Sequence, residues 1–99
     1  MLIRVVRMTF QEGKTGDFLA IFERSKRQIR AFPGCCHLEL LRDRDQPAVF
    51  VTYSHWESPE ALEQYRQSEL FRTTWADTKV LFAERPAAFS LESLETVMN

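Results

Sequence analysis

The chain has 99 residues, room for one hydrophobic core and not for two, so residues 1–99 are read as one domain. It is 44% hydrophobic and 27% charged with a formal net charge of -1, which excludes a disordered chain. That balance also leaves no basic excess for a phosphate backbone, so nucleic acid is not an expected partner.

Residues 2–10 suit a strand, with Leu2, Val6, Met8 and Phe10 on one face and Ile3 and Val5 on the other. Arg4 and Arg7 interrupt it, so the segment makes neither a signal-peptide core nor a membrane span. Those two arginines either pair with an acid such as Glu39 or bind an anionic substrate group. A polar connection over 11–16 leads into a helix from Asp17, whose buried stripe is Phe18, Phe22, Ser25, Ile29 and Phe32, widened by Ile21. Pro33-Gly34 stops it.

Residues 35–42 and 48–56 form a hairpin across the charged turn RDRDQP. Ser58-Pro59-Glu60 is a helix start: a hydroxyl to cap a free amide, a proline that fits the first position, and an acid that suits the dipole. Ser68 restarts or bends the helix, because Phe71, Trp75, Thr78 and Phe82 make a fresh stripe. Residues 88–94 alternate as a last strand. The order strand, helix, strand, strand, helix, strand predicts an α+β, ferredoxin-like βαββαβ fold: a four-stranded antiparallel sheet with its helices on one face. Because strands one and three are apolar on both faces, the bare face is expected to meet a second copy, sheet against sheet, in a homodimer.

The adjacent Cys35 and Cys36 give no disulfide framework, which fits a reducing, cytoplasmic setting. Alternation places them on opposite faces and places Cys35 with His37, but structural zinc wants four ligands and none complete the set, so no metal is expected. His37 and His55 should meet at one end of the sheet, where an imidazole can shuttle protons near neutral pH or simply be satisfied by a neighbouring carbonyl. The many aromatics exceed what a minimal core requires. Some are expected to line a cavity, and Tyr65 and Trp75 each bring a polar group that needs a partner.

At Pro33-Gly34-Cys35, Trp56-Glu57-Ser58-Pro59-Glu60-Ala61-Leu62 and Tyr65-Arg66-Gln67-Ser68-Glu69-Leu70-Phe71 the chain resembles the antibiotic biosynthesis monooxygenase domain family. The resemblance runs from Leu2 to about Leu94 and implies a dimeric α+β barrel with a pocket between sheet and helices in each subunit. It further implies a cofactor-independent monooxygenase acting on a quinol or other small phenolic substrate, with no cofactor. Quinol-oxidising members often carry histidines where this chain has Tyr65 and Leu70. The iron-binding histidine of haem-degrading members matches Trp75. On that reading His37 or His55 is the base and Tyr53 and Tyr65 are the donors, while Phe22, Phe71, Trp75 and Arg7 hold the substrate. The alternatives are a non-catalytic dimer that binds a small hydrophobic ligand, and a lyase or isomerase of the same barrel.

Overall fold

A computed structural model describes residues 1–99. Its elements in chain order are β1 (Leu2–Thr9), α1 (Thr15–Arg30), β2 (Cys35–Arg42), β3 (Val49–Trp56), α2 (Pro59–Arg66), α3 (Glu69–Lys79) and β4 (Ala87–Glu92). The sheet has the order β2-β3-β1-β4, and every neighbouring pair is antiparallel. This is the ferredoxin-like α+β arrangement, with the second helical region in two pieces.

Local chemistry explains where most elements start and stop. The Ser58 hydroxyl accepts from the Ala61 amide and opens α2, and the Ser68 hydroxyl accepts from the Phe71 amide and opens α3. A serine cap thus ends one helix and launches the next. The first helix starts at Thr15 rather than at Asp17, with Lys14 at its capping position and no side-chain cap. The last strand covers Ala87–Glu92 rather than 88–94, because its partner β1 runs out where Leu2 pairs with Glu92.

The helix-covered face of the sheet carries Leu2, Arg4, Val6 and Met8 opposite Trp56, Ser54, Thr52 and Phe50. Two clusters fill its ends. Leu2, Cys35, Trp56 and Leu62 pack at one, and Met8, Phe10, Phe18 and Phe50 at the other. Between them β1 and β3 present Arg4, Thr52 and Ser54 instead of large apolar side chains. The core is therefore divided, and a cavity opens in the gap.

One expectation about the hairpin is overturned. Cys35 pairs with Trp56 and His37 pairs with His55, so a bulge at Cys36 shifts the register by one residue. Cys35 consequently faces the helices, buried, while His37 lies on the opposite face; the two do not share one. Arg30 secures the irregularity by donating from Nη1 to the Cys35 carbonyl at 2.8 Å.

Candidate functional site

The cavity between sheet and helices has a volume of about 310 Å³, at the small end of the usual range for ligand sites. Its floor comes from β1 and β3, through Arg4, Val6, Met8, Thr52, Ser54 and Trp56. The roof comes from α1, through Phe18 and Phe22, and from α2 and α3, through Tyr65, Phe71 and Trp75. These aromatic rings are in mutual contact: Trp56 stacks on Tyr65 at 5.0 Å, Tyr65 meets Phe71 edge-on at 5.2 Å, and Phe71 stacks on Trp75 at 5.8 Å. Helical spacing makes the row, since Phe71 and Trp75 are four residues apart on α3 and both face the sheet.

Polar groups in this lining are few. Trp56 donates its indole N–H to the Ser54 hydroxyl at 3.0 Å, and the Thr78 hydroxyl donates to the Thr74 carbonyl at 2.7 Å, so both pairs are internally satisfied. The Tyr65 hydroxyl and the Trp75 indole N–H make no hydrogen bond within the protein, yet no buried polar atom is left without a partner, so both keep some access to solvent, and both residues line the cavity. No histidine, aspartate or glutamate lines the cavity. Its fixed charges are the guanidinium groups of Arg4 and Arg66.

Burial pushes the Tyr65 hydroxyl well above the usual tyrosine range, and neighbouring Cys35 adds to the effect. Burial likewise raises the Cys35 thiol, against the opposing pull of the His37 backbone and of Arg30, which marks it as a packing cysteine rather than a nucleophile. For Tyr65 the folded state favours the neutral form, so its contribution to stability is complete below about pH 10 and is lost as pH rises beyond it, where only the unfolded chain releases the proton. Wild type is expected to lose about 1.4 kcal/mol per pH unit above about pH 10 relative to Tyr65→Phe. Urea unfolding of both proteins from pH 9 to 11.5 measures the difference, and parallel curves would refute it.

The sequence-predicted site residues divide between the two faces of the sheet. Tyr65, Phe22, Phe71 and Trp75 line the cavity. His37, His55 and Tyr53 come together on the other, helix-free face. There the Tyr53 hydroxyl lies 2.9 Å from His55 Nε2, His37 Nε2 lies 3.0 Å from Glu39 Oε1, and the two imidazole rings are 5.1 Å apart. The four catalytic candidates do not share one cavity: the sheet stands between Tyr65 and the other three. Arg7, opposite Val51, also lies on the helix-free face, whereas Arg4 lines the cavity and donates from Nη1 to the Ser90 hydroxyl at 2.9 Å. Neither arginine is among the ion pairs of the structure, and Glu39 pairs with His37. Strict alternation along β1 was the signal for Arg4, which shares its parity with Leu2, Val6 and Met8. Arg66, Thr52 and Thr74 carried no such signal.

No three histidine, cysteine, aspartate or glutamate side chains are placed to hold a metal ion together, and no helix is long and apolar enough to cross a membrane. Both cysteines are free.

Comparison with known proteins adds to this geometry. No curated protein sequence matches the chain significantly. Among solved structures, Rv0793 from Mycobacterium tuberculosis superposes with a TM-score of 0.89 at 20% identity, covering 98% of this chain and 98% of that one. A candidate antibiotic biosynthesis monooxygenase from Nitrosomonas europaea gives 0.89 at 19% identity over 96% of this chain and 100% of its own. PA3566 from Pseudomonas aeruginosa gives 0.84 at 21% over 95% and 94%. Identities this low establish a shared fold and leave the chemistry to the residues. The sequence profile described as antibiotic biosynthesis monooxygenase matches residues 1–77, which carry β1 through most of α3 and nearly all of the cavity lining. The chain belongs to the antibiotic biosynthesis monooxygenase family.

Proposed function

We propose that the protein is a cofactor-independent monooxygenase that oxidises a small phenol or quinol inside the cavity between sheet and helices. The observation that carries this reading is the aromatic-walled cavity whose lining includes two residues with donors unpartnered in the protein, Tyr65 and Trp75. A phenolic substrate that has given its hydroxyl proton to the bulk solvent enters as the anion, and the ring anion passes one electron to dioxygen. Superoxide and the aryloxyl radical then combine at a ring carbon that bears hydrogen, and the resulting hydroperoxide loses water to leave a carbonyl. One oxygen atom enters the product and the other leaves as water, so the substrate itself is the reductant. The protein contributes water exclusion, orientation and hydrogen bonds to the developing anion. Tyr65 suits the last task, because its hydroxyl has no partner within the protein and, like any tyrosine hydroxyl, stays protonated and able to donate in the neutral range.

Oxygen uptake with a panel of naphthols, anthrones and benzoquinols tests the proposal. Uptake with at least one compound is expected, with kcat lowered in Tyr65→Phe and essentially unchanged when His37 and His55 are both replaced by alanine. Silence across the panel would sink it. A second reading, ligand binding without turnover, draws support from the lack of any imidazole or carboxylate in the cavity. It predicts thermal stabilisation by the same compounds with no oxygen consumed.

The functional unit in this reading is a two-fold dimer joined through the helix-free sheet face. That face bears Val5, Tyr53 and Val51 centrally, with Phe89 51%, Leu91 49% and Leu41 42% exposed towards the sheet edges. His37, His55 and Tyr53 then serve the contact between copies rather than the cavity. Sedimentation at micromolar concentration is expected to give twice the chain mass for wild type and the single mass for Val5→Glu. A monodisperse wild-type monomer would remove the dimer.

A further inference from the structure

The charge distribution of the cavity carries more than the aromatic lining does. Arg4 is half-buried on the central strand of the sheet, and its only hydrogen-bond partner is the neutral Ser90 hydroxyl, reached through Nη1. No carboxylate lies within ion-pair distance of it. Its cavity neighbour Arg66 pairs instead with Glu63 on its own helix, at 3.1 Å. A half-buried arginine on a central strand with no carboxylate in direct contact keeps its donors free for another partner. Desolvation and the nearby positive charge of Arg66 both weaken the Arg4 proton's hold, with Glu63 opposing them, yet an arginine remains charged at any physiological pH. The lining supplies two positive groups, apolar rings and no negative group at all.

We propose that the natural ligand is an aromatic acid, whose ring system lies among Phe22, Phe71 and Trp75 and whose carboxylate is held by the free edge of the Arg4 guanidinium. The planar fork of arginine matches the two oxygens of a carboxylate, and the single bond to Ser90 orients the fork while leaving most of its donors unused. Arg66, exposed at the mouth and neutralised in part by Glu63, attracts the anion without anchoring it. The assignment deepens the reading of the cavity as an aromatic-ligand site and rests on it, but it does not depend on turnover.

Naphthalene-2-carboxylate and naphthalene-2-carboxamide share a ring and nearly a shape, and differ in charge. Titrating each into the protein at pH 7 and low salt, followed by calorimetry, isolates the role of Arg4. The carboxylate is expected to bind roughly tenfold tighter or better than the amide, as for a charge-assisted bond in a poorly solvated site. In Arg4→Gln that preference is expected to vanish through weakened carboxylate binding, with amide affinity held within about twofold, while Arg66→Gln lowers it only slightly. Where Arg4→Gln does not fold, Arg4→Lys keeps the charge and loses the fork, and its preference is expected to fall below that of wild type. Equal binding of acid and amide by wild type, or a preference undiminished in the Arg4 variants, overturns the proposal and leaves the aromatic cavity standing. Failure of both compounds to bind overturns the cavity reading together with it.

Discussion

Trp56→Ala is expected to destabilise the protein by about 3–5 kcal/mol, the cost of deleting a large aromatic from a close-packed site. Trp56 is 1% exposed, packs with Leu2, Cys35 and Leu62, stacks on Tyr65 and donates to the Ser54 hydroxyl. Three losses coincide in the variant. The indole's contacts disappear, Ser54 loses its buried donor, and the row of rings that runs from the cavity floor to its roof loses its end member. Domains of this size hold about 5–15 kcal/mol in total, and each kcal/mol moves the midpoint by roughly 4–8 °C. The melting temperature should therefore fall by tens of degrees, or folding should fail outright. Trp56→Phe keeps a ring against Tyr65 and forfeits chiefly the bond to Ser54, so it should cost about 1–2 kcal/mol. Chemical denaturation of the three proteins fixes the order, and a loss below about 1 kcal/mol for Trp56→Ala would mean that the end of β3 is not where the core is anchored.

The same tryptophan shows how far local reasoning reaches. Ser58-Pro59-Glu60 and Ser68 declare helix starts in sequence because each is decided within a single turn of backbone, and both are found where they were expected. The stripe of Phe18, Ile21, Ser25 and Ile29 is equally legible, since one helix buries one face. Side-chain partition across the sheet was harder. On β3, Val49, Phe50 and Trp56 are all buried, so apolar character alone does not say which parity faces the helices. Placing His55 and Tyr53 with Val51, opposite in sense to Trp56, required the packing of the helices themselves. Arg4 and Arg7 were easier: spacing says that they point apart, and Arg4 shares its parity with Leu2, Val6 and Met8, the larger apolar set on β1.

The bulge at Cys36 had no signature of its own, because a pair of cysteines fits a regular strand as readily as an irregular one. The contacts that accompany it lie outside the strand, in the Arg30 side chain and in the turn that delivers the chain to β2. That turn runs from Phe32 to Cys35, with Pro33 and Gly34 at its centre, and is closed by the Cys35 amide donating to the Phe32 carbonyl at 3.0 Å. Proline at the second place and a glycine at φ +88° at the third identify a type II turn. A one-residue change in this turn exchanges the faces of Cys35 and His37, and with them a core contact and a surface one.

Gly34→Ala is accordingly expected to cost about 2–4 kcal/mol, from two separable sources. The first is the left-handed backbone, which an alanine adopts at a cost of about 1–2 kcal/mol. The second is steric. A Cβ at position 34 would lie 2.5 Å from the Ala61 Cβ in the first turn of α2, and the Gly34 carbonyl is meanwhile held by the Glu57 amide at 2.8 Å, so the turn has little freedom to withdraw. Gly13 provides the comparison, with φ +80° and nothing within 4 Å of an added methyl, so Gly13→Ala should cost the backbone share alone. Removing the obstacle instead, through Gly34→Ala combined with Ala61→Gly, should recover the steric share once the cost of a helical glycine, about 1 kcal/mol, is subtracted through the single Ala61→Gly variant. A double-mutant cycle from urea unfolding reads the coupling, expected at about 1–3 kcal/mol in favour of the pair. A coupling indistinguishable from zero would place all of the cost in the backbone and show that α2 yields to the added methyl. A cost equal to that of Gly13→Ala would deny the close packing of turn against helix on which the start of β2, its bulge and the assignment of its faces all depend.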